Sequence, residues 1–264
     1  MAPFPVPSSV PSEAAPTSAL RRTVLSVLLL LVALAVALLP DRAAPLSGTT
    51  EAAAKRVGGA RPVLAGPGYA FATVLDGRPV RWNPCEPVRW TVNPAGAPQG
   101  GMEVLRDAVA RIAATSGTQW VYVGPTTTQP TGAVLPRAAQ ASYPPVLLGW
   151  TDTSSDLLRD QPAGVLAMTR TAWFGVQRSD GSKVAATRAA VIAFDRSDRL
   201  PLRGPVSWEA VALHELGHTM GLAHVGDRRQ LMASVLPRSA DRLQHGDRAG
   251  LRRVGRPAGC VHVP

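Results

Sequence analysis

The residues best equipped for chemistry lie together in the segment His214-Glu215-Leu216-Gly217-His218-Thr219-Met220-Gly221-Leu222-Ala223-His224. On a helix, side chains four residues apart share a face about one turn apart, so His214 and His218 can converge on one ion. Imidazole nitrogens at about 2.0–2.1 Å in a tetrahedral set are what zinc favours. Two ligands hold a catalytic metal poorly. His224 supplies a third, because Gly221 can take positive φ without steric cost and turn the chain sharply enough to return it to the same point. Three protein ligands leave a fourth position for water, whose pKa a bound zinc lowers toward neutrality. Glu215, next to His214, is placed to accept a proton from that water and pass it to a leaving amine. A bare pair of histidines four apart is a weak signal; with glutamate, glycine and a third histidine at these offsets it is specific. The other two histidines, His245 and His262, have no such spacing and read as surface residues or as residues behind the ligands.

These groups need a helix beneath them and a sheet beside it. Ser207 to Met220 reads as the helix. Val88–Val92 (VRWTV), Trp120–Gly124 (WVYVG), Val146–Asp152, Gly164–Arg170 (GVLAMTR) and Ala189–Asp195 (AAVIAFD) read as strands, several of them bounded by turn-forming residues. Apolar residues at 102, 104, 105, 108, 109 and 112 have helical spacing. A final helix is expected over Asp247 to Val254, with Asp247 as N-cap and Gly255 as the residue after its end. The order gives an α+β fold: a twisted mixed sheet of about four to five strands, with a long helix packed on it and a C-terminal helix.

The chain has 264 residues, enough for one sizeable domain with extra segments. Residues 1–22 are Pro-, Ser- and Ala-rich and read as a disordered cytoplasmic N-terminus. Thr23 to Leu39 carries no charge. As a helix it spans about 25 Å, the short limit for crossing a bilayer. Arg21 and Arg22 before it place that flank in the cytoplasm. The expectation is a single-pass transmembrane helix at the cell membrane with the remainder outside. A cleaved signal peptide, giving a secreted protein, is the rival reading. Residues 40–68 read as a flexible linker, and residues 69–264 as the folded domain. Cys85 and Cys260, in an exported domain, read as one disulfide. The net charge of +10 comes from arginine, with only Lys55 and Lys183 as lysines. No arginine run is interleaved with stacking aromatics, and Arg248, Arg252, Arg253 and Arg256 have the spacing of a solvated helix face. Nucleic acid is therefore not expected as a partner. A monomer is expected.

The segment HELGHTMGLAH resembles the zinc motif of the metzincin peptidases, and within them that of the matrixins. The likeness extends over roughly Val88 to Val254. It implies that Met232, in Gln230-Leu231-Met232-Ala233-Ser234, forms the Met-turn, an apolar floor beneath the metal. It implies that Gly164, Val165, Leu166 and Ala167 form an edge strand bordering the cleft, where an extended substrate adds as a further strand. Phe194-Asp195 resembles the family's next strand, and Trp208 stands where its helix begins. Val235 to Gln244, with Arg238 and Arg242, corresponds to the wall of the pocket for the residue after the scissile bond.

There are departures. Met168 and Ala193 stand where matrixins carry histidines for a second, structural zinc, so a single catalytic zinc is expected. Asp195 and Asp198 could contribute to a calcium site, but a solvated loop is the simpler reading. The segment Asp41 to Gly68 holds no cysteine, so the thiolate latency switch is not expected. With Ser234 and Leu236 after Met232, no tyrosine is placed to act as an extra ligand. The sequence thus points to an exported zinc endopeptidase acting on a protein or peptide substrate, with His214, His218 and His224 as ligands and Glu215 as base. The alternative is a catalytically silent surface binding protein of the same fold.

Overall fold

The computed structural model describes residues 44–54, 64–66, 68–239 and 241–263. The apolar run Thr23–Leu39 lies outside them. Among the described residues no helix is long and apolar enough to cross a membrane.

The strands in chain order are β1 (Ala44–Ala54), β2 (Leu64–Gly66), β3 (Tyr69–Phe71), β4 (Val74–Leu75), β5 (Arg78–Pro79), β6 (Val88–Asn93), β7 (Trp120–Pro125), β8 (Val146–Thr151), β9 (Ala167–Gln177) and β10 (Lys183–Asp195). Among the described residues the α-helices are α1 (Gly101–Ser116), α2 (Trp208–Thr219) and α3 (His245–Val254). Six strands form one mixed sheet in the order β1-β9-β10-β8-β6-β7. β7, β6, β8 and β10 run parallel, while β9 is antiparallel to both β10 and β1.

β10 shows why the sheet is covered on both faces. Its side chains alternate with the period of two that a strand imposes. Ala190, Ile192 and Phe194 pack with α1 and α2, in a core that includes Leu105, Ile112, Leu213 and Leu216. Ala189, Val191 and Ala193 pack on the opposite face with Leu147, Leu157, Leu158 and Val165. Trp150 and Phe194 meet the edge of Trp208 at 6.3 and 6.2 Å, where α2 begins. Ser207 caps that helix: its hydroxyl accepts from the Ala210 N–H at 3.2 Å. The disulfide joins Cys85 to Cys260 across 175 residues of sequence, with Cα atoms 5.5 Å apart.

Several elements differ from the sequence expectation. The sheet has six strands rather than four or five, because the interval 40–68, expected as a linker, contributes β1 to its edge, and β2 pairs with β3. β9 begins at Ala167. Gly164, Val165 and Leu166 lead into it through a turn in which Gly164 takes φ +83°. α3 starts at His245, so Asp247 is not its N-cap. Gln244 is, and the Asp247 carboxylate reaches back to the Gln244 N–H in a capping box. Gly255 ends α3 with a negative φ rather than in the left-handed region.

Candidate metal centre and active site

His214, Glu215 and His218 lie on α2, and all three are buried. α2 ends at Thr219, whose carbonyl accepts from the Trp82 indole N–H at 2.8 Å. Gly221 then takes φ +103°, and a Cβ there would stand 2.8 Å from the Val80 carbonyl oxygen. Only glycine fits both demands. Beyond it, the chain is pinned on two sides of His224. The Ala223 N–H donates to Ala70 O at 2.9 Å, and the Val225 N–H to Met232 O at 3.0 Å.

This path brings the three Nε2 atoms together, 3.0 Å apart for His214–His218 and 3.1 Å for each pair with His224. Tetrahedral ligands at zinc–nitrogen distance stand about 3.3 Å apart. The triangle is therefore close to what one ion requires, whereas three mutual imidazole contacts have too few protons to stabilise themselves. The opposite nitrogens agree. His214 Nδ1 lies 2.7 Å from Leu231 O and His218 Nδ1 lies 2.8 Å from Leu222 O. As N–H donors to these carbonyls, both rings are held with the Nε2 lone pair free for a metal. Burial, with the neighbouring histidines, lowers the pKa of His214 to about 3 and that of His218 well below the ordinary value. Both rings are neutral, the state a ligand needs. The donor set fits zinc.

Met232 packs against α2. Its Sδ would be 2.4 Å from a Cβ placed on Gly217, in the α2 turn between the two ligands. The absence of a side chain at Gly217 is what lets the thioether lie against the helix. The turn at Leu231 and Met232 is held by Asp247, whose Oδ2 accepts from the Leu231 N–H at 2.8 Å and whose Oδ1 accepts from Met232 N–H at 3.1 Å. Burial pushes this carboxyl up, against the pull of the donors it accepts from.

Glu215 Oε2 accepts a 2.6 Å hydrogen bond from the Thr169 hydroxyl on β9. Neither Thr169, Gly217 nor the carboxylate clamp of Asp247 stood out in the sequence. Gly217 could have, since a glycine inside a helix between two ligands calls for a packing reason.

The remaining expected residues fall as follows. Ala167 is in β9, while Leu166 and Gly164 line a cleft of about 990 Å³ together with Leu200, Leu236, Pro237 and Arg238. The segment from Val235 to Ser239 thus walls a pocket, while Arg242 instead pairs with Asp241. Met168 and Ala193 are buried in the apolar cluster on the far face of the sheet. Asp195 Oδ1 accepts from the N–H and hydroxyl of Ser197, and Asp198 is raised by burial and by Asp195. Among the described residues, His214, His218 and His224 offer ligand atoms all within 4.8 Å of one another.

The sequence model of the matrixin family of peptidases matches residues 150–254. That span runs from the end of β8 to the end of α3 and contains the whole histidine, glutamate and methionine constellation. No curated protein matches the chain.

Proposed function

From the premise that residues 150–254 form a matrixin-like metzincin domain, we propose that the protein is a zinc-dependent endopeptidase with Glu215 as its general base. The observation that carries this reading is the convergence of three imidazoles, two of them held neutral by burial, beside a buried, oriented carboxylate. His214, His218 and His224 hold the metal. When bound, zinc supplies Lewis acidity toward the scissile carbonyl and draws the pKa of water toward neutrality. Glu215 takes a proton from the attacking water and hands it to the leaving amine. Thr169 keeps the carboxylate in one orientation while it does so. The substrate backbone lies along the approach to β9 at Leu166 and Ala167, and the residue after the scissile bond enters the pocket walled by Leu236 and Pro237.

The proposal includes export. The uncharged run Thr23–Leu39 behind Arg21 and Arg22 supports a membrane anchor, and a disulfide between Cys85 and Cys260 suits an oxidising compartment.

The test is a comparison of the zinc-loaded full chain with Glu215→Ala. The wild type is expected to bind one zinc and to cleave an unfolded protein at least about 100-fold faster than the variant. Zinc binding without any cleavage that Glu215→Ala abolishes would favour a silent binding protein instead.

A further inference from the structure

We infer that the strand-accepting edge of the cleft is occupied by the chain's own residues 44–54, and that a substrate takes this edge by displacing them. The inference rests on the endopeptidase reading and adds a mode of restraint to it.

β1 pairs with β9 antiparallel over all of its 11 residues, from Ala44 opposite Gln177 to Ala54 opposite Ala167. The other side of β9 is already paired with β10. β9 therefore has one edge to offer, and β1 fills it. A bare strand edge is a row of unpaired N–H and C=O groups that binds any extended chain of suitable reach.

The register places this contact at the chemistry. Ala52 stands opposite Thr169, the residue whose hydroxyl holds Glu215 Oε2. β1 ends opposite Ala167, and the pocket begins one residue further on, at Leu166 and Gly164. The segment thus covers the half of the cleft edge on the Thr169 side and leaves the pocket half to others. An extended peptide that pairs along both halves cannot coexist with β1.

The segment is also built to leave. Its sequence, APLSGTTEAAA, is mostly alanine, glycine, proline and serine, residues with low strand preference. Its strength as a competitor comes from the tether. Residues 55–63 connect it directly to β2, and a ligand on a short tether acts at millimolar effective concentration. That matches or exceeds typical Michaelis constants of about 1 μM to 1 mM. Restraint of this kind needs no cysteine and appears as a raised KM.

The test uses the zinc-loaded full chain and the double variant Glu51→Pro/Ala52→Pro. Neighbouring N–H groups in a strand point to opposite sides, so one of two adjacent prolines removes a donor to β9. With an internally quenched peptide as substrate, the variant is expected to show a KM about tenfold lower and a kcat within twofold of wild type. Hydrogen exchange gives a second readout, in the full chain carrying Glu215→Ala. The alternate amides of residues 44–54 that face β9 are expected to exchange slowly, and to exchange fast once the same peptide is added at saturation. An unchanged KM in the double variant overturns the proposal. So does fast exchange of the amides that face β9 in the absence of peptide, or slow exchange of them that the peptide leaves unaltered. If no zinc-loaded form cleaves anything, the endopeptidase reading fails, and the exchange of residues 44–54 without peptide still decides whether they occupy β9.

Discussion

The Thr169 hydroxyl donates to Glu215 Oε2 at 2.6 Å, tying β9 to the carboxylate beside the histidine cluster on α2. Thr169 and Glu215 are both buried. A hydroxyl has one proton, and the weaker 3.2 Å approach to the Glu215 carbonyl leaves the carboxylate as its main acceptor. Thr169→Val keeps the shape and deletes the donor. It is expected to lower kcat about tenfold with little change in KM, since orientation of the base matters only in the chemical step. Thr169→Ser should restore most of the loss. Equal losses in both variants would mean that the methyl group, not the hydroxyl, is what Glu215 needs.

The parts of the site that depend on local spacing were legible in the sequence. His214, His218, His224 and Gly221 follow from the pitch of a helix and the one residue able to end it with a sharp return. Met232 was legible only through resemblance. What spacing along the chain does not encode is register between distant segments. That Thr169 reaches Glu215 depends on how β9 lies over α2, 46 residues later. Asp247 reads locally as a helix cap, and its second task at Leu231 and Met232 appears only when α3 docks. The segment 44–54 reads as a linker by composition. It is a strand because β9 offers it an edge, an override of propensity by context.

Asp247 links the turn at Leu231 and Met232 to the candidate metal centre. Its carboxylate accepts from Leu231 and Met232, and Leu231 in turn accepts from His214 Nδ1. Asp247→Ala leaves two buried N–H groups, those of Leu231 and Met232, and the half-buried one of Gln244 without an acceptor. The expected cost is about 2–4 kcal/mol of stability, read as a lowered denaturant midpoint. Zinc affinity should also fall about 10–100-fold, the usual effect of disturbing a ligand's hydrogen-bond partner. A loss of stability with unchanged zinc affinity would confine Asp247 to holding α3.

Gly217 and Met232 form a pair that tolerates no added carbon on the glycine. Gly217→Ala puts a Cβ 2.4 Å from Met232 Sδ and is expected to destabilise the domain by about 1–3 kcal/mol despite alanine's better helix propensity. Met232→Ala creates a cavity and costs about 2–5 kcal/mol. The two together should cost less than their sum, because the alanine methyl fills space that Met232 vacates. A double-mutant cycle in chemical denaturation measures that coupling. Additive costs would show that the clash is relieved elsewhere.

Metal removal should expose the buried histidines in the pH dependence of stability. In the unfolded chain each titrates near 6.5, whereas burial holds His214 at about 3 and His218 well below its ordinary value in the folded domain. The unfolded state therefore binds more protons as pH falls below about 6.5, and stability falls with it. This stabilisation is complete above the unfolded value and is lost as pH drops toward the folded one. With two histidines the slope approaches about 3 kcal/mol per pH unit below pH 6.5. Thermal midpoints in a chelator should accordingly fall steeply between pH 7 and pH 5. Zinc-loaded protein should hold its midpoint further down and then fall more sharply, because protons must displace the metal as well. Replacing both residues, His214→Gln/His218→Gln, should flatten the chelator profile. If this variant and wild type lose stability in parallel, the acid sensitivity lies in other groups.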